Sequence, residues 1–70
     1  MATLRDLRLR LFLTQTQLAA LVGVPYQTVQ RWESGRSTPR PGGMRELARA
    51  LDVTGEELLA AIRETKAAGA

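Results

Sequence analysis

Gln27, Gln30 and Arg31 lie within a five-residue stretch, and each carries a planar group able to form two hydrogen bonds at once. A carboxamide can pair in this way with the edge of adenine and a guanidinium with that of guanine; each such pair is worth about 1–3 kcal/mol of discrimination in the DNA major groove. If this stretch is a helix turning about 100° per residue with Val29 inward, Gln27 and Arg31 point away from the core. Gln30 and Ser34 then flank them, and Tyr26 and Thr28 stand at the margins. An ordinary solvated helix face would show Glu and Lys at such positions. Other chemistry is poorly supplied. The chain contains neither His nor Cys, which removes the usual general base, thiol nucleophile, disulfide and most zinc ligands. It has no G-x-S-x-G motif, phosphate-cradling glycine loop or carboxylate cluster. The sequence reads as non-enzymatic, with no cofactor and no metal.

The elements that must present this face announce themselves through their starts. Thr3 with Asp6, Thr14 with Gln17, and Thr54 with Glu57 each form a capping-box pair, in which a side-chain oxygen satisfies free backbone N–H groups at a helix start. Leu13 with Leu18 and Val53 with Leu58 add hydrophobic staples. The pattern predicts a first helix over Leu4–Leu11, with Leu4, Leu7 and Leu11 on one face. A second follows Thr14, buries Leu18, Leu21 and Val22, and stops at Gly23, which tolerates a left-handed conformation. Pro25 opens a third, where its missing N–H costs little, and that helix runs to Ser34 and ends at Gly35. Ala19 allows the second and third helices a close approach, Val24 plugs the turn between them, and Val29 and Trp32 anchor the third. Pro39, Pro41, Gly42 and Gly43 mark residues 36–43 as a loop. Met44, Leu47, Ala48 and Leu51 predict a fourth helix, and Leu58, Leu59 and Ile62 a fifth after Thr54. No segment alternates with period two, so the expected class is all-α: one domain over residues 1–64 and a frayed, disordered tail over 65–70.

Seventy residues with a net charge of +3 make a small domain that must rely on its core. The charge is uneven, with a net of +4 through residue 40 and −1 beyond it. A basic half beside a nearly neutral one suits a nucleic-acid partner, although a solvated charged surface would look the same. Arg5, Asp6, Arg8 and Arg10 interrupt the apolar start, so no signal peptide or membrane span is expected. The expected location is the cytoplasm, at the nucleoid through DNA binding.

The run from Thr14 through Gly23-Val24 to Val29-Gln30-Arg31-Trp32-Glu33-Ser34-Gly35 resembles the Cro and phage-repressor helix-turn-helix family. The likeness continues through Pro39, Leu47–Val53 and Glu57-Leu58-Leu59. It implies a five-helix domain of the lambda-repressor-like type whose second and third helices form the helix-turn-helix. It also implies base contacts from Tyr26, Gln27 and Arg31, with Thr28 and Gln30 as additions. Phosphate contacts fall to Gln15, which the resemblance also makes a support of the third helix, and to the loop residues Ser34, Arg36 and Thr38; Arg40 joins them as a loop arginine. An ion pair between Arg8 and Glu33 is implied as well, and the helical angles independently turn Glu33 inward, where it needs a partner. Three positions depart from the family. Phe12 stands where Gly or Asn is usual, so either the first helix ends differently or the ring fills a pocket. Pro25 replaces a Ser or Thr cap, and Pro41-Gly42-Gly43 replaces better helix formers, which implies a looser loop.

The leading expectation is a sequence-specific regulator of transcription, a repressor that binds a double-stranded DNA operator as a homodimer. Seventy residues leave no room for a ligand-sensing domain, so regulation would come from concentration, from a partner protein or from a region outside this chain. A second reading, from another class, is an antitoxin that neutralises a toxin protein and autoregulates its operon. A third is a protein adaptor; the polar outward face argues against it, because an adaptor would expose apolar anchors.

Overall fold

The computed structural model describes residues 2–69, and every regular element among them is a helix. In order these are α1 (Leu4–Arg10), α2 (Gln15–Val22), α3 (Tyr26–Glu33), α4 (Pro41–Leu51) and α5 (Gly55–Gly69). Three helices begin on reciprocal capping boxes. The Thr3 hydroxyl accepts from the Asp6 N–H at 3.2 Å while Asp6 Oδ2 accepts from the Thr3 N–H at 2.9 Å. Thr14 and Gln17 repeat this at 3.0 and 2.9 Å, as do Thr54 and Glu57 at 3.1 and 3.0 Å. Helix α3 has no side-chain cap on Pro25; the Thr28 N–H donates to the Pro25 carbonyl at 2.9 Å instead. Gly23 closes α2 at φ +80°, in the left-handed region where a Cβ would cost roughly 1–2 kcal/mol. That single residue lets α3 start with only three residues between it and the end of α2.

Leu4, Leu18, Val29, Leu47, Leu51 and Leu58 are fully buried and form one core with Leu7, Ala19, Trp32, Ala61 and Ile62. Helix α3 packs against α1, α2 and α5, while α4 bridges α2 and α5. The inner face of α3 is thus held from three sides by Val29 and Trp32, and its outer face is left free.

Three leucines expected in the core are exposed: Leu11, Leu21 and Leu59. Leu11 is the C-cap of α1, at φ −100° and ψ 8°, so helical angles no longer govern its direction. Leu21 lies roughly 110° around α2 from the centre of the face formed by Leu18, Ala19 and Val22, and Leu59 is similarly offset from Leu58, Ala61 and Ile62. A contact with i+3 spacing is not enough when the rest of the stripe lies to the other side.

The expected loop over residues 36–43 is shorter, because α4 already begins at Pro41. Proline fits the first helical position, and each following glycine costs only about 0.5–1 kcal/mol. Packing outweighs that cost. A Cβ on Gly43 would stand 3.6 Å from Pro39 and 3.8 Å from Trp32, so the start of α4 rests on the tryptophan. The expected frayed tail is likewise helical to Gly69. Thr65 is 3% exposed; its hydroxyl accepts from the Leu4 N–H at 2.8 Å and donates to the Ala61 carbonyl at 2.7 Å. Gly35, at φ +80°, meets this end of α5 so closely that a Cβ there would lie 3.3 Å from the Thr65 carbonyl oxygen. Met1 and Ala70, which belonged to the expected domain and tail, lie outside the described residues.

Candidate nucleic-acid interface

The outer face of α3 rests on a polar network on the helix's inner side. Arg8 Nε donates to Glu33 Oε2 at 2.6 Å and Arg8 Nη2 to Glu33 Oε1 at 3.0 Å. The two side chains are 8% and 5% exposed. This is the forked arginine–carboxylate geometry, stronger than a single-point contact. Arg8 Nη1 also donates to the Leu13 carbonyl at 2.8 Å, which pins the α1–α2 turn. Gln15 Nε2 donates to Glu33 Oε1 at 3.0 Å, which ties the first residue of α2 to the last of α3. Among the described residues no buried side-chain N or O lacks a partner, as a buried charge requires.

On the opposite side of α3, Gln27, Gln30 and Arg31 are exposed. The Arg31 guanidinium has no protein partner among the described residues. Gln30 Nε2 donates to the Tyr26 hydroxyl at 2.6 Å. That hydroxyl therefore keeps its own proton to donate outward, and the Gln30 amide oxygen stays free to accept. At the end of α3 the Ser34 hydroxyl donates to the Arg31 carbonyl at 3.1 Å, and the Arg36 N–H reaches the same carbonyl at 3.0 Å. Gly35 provides the sharp turn that this requires.

Of the residues expected at base edges, Gln27, Gln30 and Arg31 line one open groove. Tyr26 faces an adjoining depression beside Phe12, Gln15 and Thr16. Thr28 is half-buried and lies on neither wall. Of the expected phosphate contacts, Gln15, Ser34 and Arg36 share the groove with the base-edge set, whereas Thr38 and Arg40 line a second one with Arg31. Gln15 is half-buried, with its amide nitrogen committed to Glu33. Phe12 fills no pocket: it sits at φ +59° and is 93% exposed.

One residue that sequence reasoning left unassigned, Arg5, also lines the groove. Its signal was its spacing from Arg8: three residues apart on α1, the two side chains share a side of the helix, and Arg8 is drawn to α3. Arg5, Arg31 and Arg36 leave the groove positive, because the charge of Glu33 is matched by Arg8. Among the described residues no cluster of acidic side chains could hold a metal ion, and no helix is long and apolar enough to cross a membrane.

Comparison with known proteins gives a consistent result. Residues 4–58 match the helix-turn-helix family. The chain is 42% identical over 59 residues to the uncharacterized HTH-type transcriptional regulator RghRB of Bacillus subtilis (strain 168), a match covering 83% of this chain and 42% of that protein. It is 61% identical over 28 residues to Repressor protein C of Escherichia phage P2, covering 40% of this chain and 28% of the repressor. The chain thus spans less than half the length of the curated relatives it matches. No solved structure matches it significantly.

Proposed function

Because the chain belongs to the helix-turn-helix family, we propose that it is a DNA-binding regulator of transcription, a repressor that inserts α3 into the major groove of an operator. The observation that carries this reading is the free outer face of α3, where Gln27, Gln30 and Arg31 stand together over a positive groove. Gln27 and Gln30 would take adenine edges and Arg31 a guanine, while Gln15, Ser34 and Arg36 would hold the flanking phosphates and set the register. The names of the two relatives, a transcriptional regulator and a repressor, agree with this role.

The eight residues of α3 span about 12 Å, which covers only three or four base pairs at about 3.4 Å each. A few contacts cannot pick one site from a genome. Two copies on half-sites one helical turn apart would multiply the discrimination, so the proposal includes a homodimer on an operator of two-fold symmetry, acting at the nucleoid in the cytoplasm.

Selection of bound duplexes from a random pool, followed by affinity measurement against salt, tests the reading. The expected result is an enriched motif with two-fold symmetry and a linear fall of log affinity with log salt. Failure to retain duplex DNA even at low salt would overturn it.

A further inference from the structure

Phe12 presents two oddities at once. Its backbone sits at φ +59°, a region that Gly and Asn enter readily and a bulky aromatic does not. Its ring, 93% exposed, packs against nothing that would offset the strain. The turn that holds it is firmly built. The Phe12 N–H donates to the Leu9 carbonyl at 3.0 Å, the Leu13 N–H to the Arg8 carbonyl at 3.3 Å, and the Leu13 carbonyl is gripped by Arg8. An outlier of this kind, held rigid and contributing nothing to the core, points to a contact made outside the fold.

Its surroundings indicate which contact. Phe12 borders a depression shared with Arg5, Gln15, Thr16 and Tyr26. Arg5 and Gln15 also line the groove of the reading face, so the two surfaces are continuous. Beside Arg5 and the hydrogen-bonding groups, the depression is lined by Leu9 and Leu13 and by no carboxylate, so an apolar floor that suits a sugar face meets a cation that suits its phosphates. We infer that Phe12 is a DNA-backbone contact: its ring lies on the deoxyribose of the strand bordering the major groove that α3 enters, with Arg5 and Thr16 directed to the neighbouring phosphates. This rests on the proposed reading of DNA by α3 and extends that interface sideways, past the bases that α3 can reach. Because every sugar has the same apolar face, the contact adds affinity without adding sequence preference.

Phe12→Gly separates the two roles. Glycine relaxes the strained φ, so the melting temperature of the variant should rise by about 4 °C or more. Its affinity for the duplex most enriched by the wild-type chain should nevertheless fall roughly five- to tenfold, with the preferred motif and the salt slope unchanged, since no charge is lost. Phe12→Asn, which also accepts positive φ, should lose the same affinity. Trimming the duplex back to the base-read half-sites should abolish the difference between variant and wild type. Wild-type affinity in both variants would overturn the contact. So would a loss of self-association in sedimentation with DNA affinity kept, because the ring would then face a second copy of the chain. Arg31→Ala on the same duplex separates the two proposals. If it relaxes base preference while Phe12→Gly binds normally, only the backbone contact fails; if the wild-type chain ignores DNA, both fail.

Discussion

Two polar regions lie on opposite sides of α3, built from the same functional groups and left in opposite states. Inward, Arg8 and Glu33 form a sealed pair, to which Gln15 is tied by one hydrogen bond from its amide nitrogen. Each Arg8 nitrogen and the Gln15 amide nitrogen finds a carboxylate or carbonyl at 2.6–3.0 Å, and Arg8 and Glu33 are nearly dry. Outward, Gln27, Gln30 and Arg31 carry the same amides and guanidinium into solvent, and among the described residues only Gln30 has a side-chain partner, on Tyr26. Sealed groups fix where the helix sits; open groups are what a ligand can use. Glu33 and Arg31 are two residues apart, so one turn of helix is enough to divide the scaffold from the open face.

The largest effect should come from breaking the sealed side. Glu33→Ala strands Arg8 as a buried unpaired charge and leaves Gln15 unanchored, at a cost of about 3 kcal/mol in folding stability. For a domain of this size that is a fall in melting temperature of roughly 12–24 °C, measurable by circular dichroism. Loss of DNA binding should follow only from unfolding, so at a temperature where the variant is folded its motif should be unchanged. A near-normal melting temperature would remove the network as the support of α3.

The open side should respond the other way round. Arg31→Ala touches no internal contact of its side chain, so the melting temperature should stay put, while DNA affinity drops by about 1–3 kcal/mol and preference relaxes at one base pair. Equal weakening on every sequence would reassign Arg31 to a phosphate. Together the two variants test whether folding and reading are divided across α3 as the geometry divides them.

What was legible in the sequence follows the same division between local and distant causes. Capping boxes are complete within four residues, so the starts of α1, α2 and α5 could be read from Thr3, Thr14 and Thr54. The outer face of α3 was legible because a helix of known phase sorts its own residues. Contacts between remote segments left no such mark. The last turns of α5 are ordered by a hydrogen bond from Leu4 to Thr65, 61 positions away, and alanines and a glycine read only as a weak helix end. The early start of α4 lies close beside Trp32, where a Cβ on Gly43 would come within 3.8 Å of the ring; by propensity alone, Pro41-Gly42-Gly43 is a loop. The tie of Gln15 to Glu33 left no local mark either, because a glutamine at a helix start looks free until the neighbouring helix is placed; only the family resemblance implied that Gln15 supports the third helix.

The smallest effect concerns the caps, and it divides the scaffold itself. The boxes of α1 and α5 close on carboxylates, Asp6 and Glu57, whereas that of α2 closes on the amide of Gln17. Hydrogen bonds from the backbone and hydroxyl of Thr3 hold the Asp6 pKa below its ordinary 3.8, and those from Thr54 hold Glu57 below 4.5. A carboxylate whose folded pKa is depressed contributes stability that is whole above its unfolded value and drains away as pH falls through the folded one. Acidification below about pH 4.5 should therefore loosen the starts of α1 and α5 while the start of α2, and with it the entry to the helix-turn-helix, holds. Amide exchange resolved by residue should show protection at Asp6 and Glu57 falling with pH, after correction for intrinsic rates, and protection at Gln17 staying flat. Asp6→Asn with Glu57→Gln, which keep an acceptor oxygen and remove the proton, should flatten all three. If Gln17 loses protection in step with the others, acid acts on the domain as a whole, and the caps are not separate units.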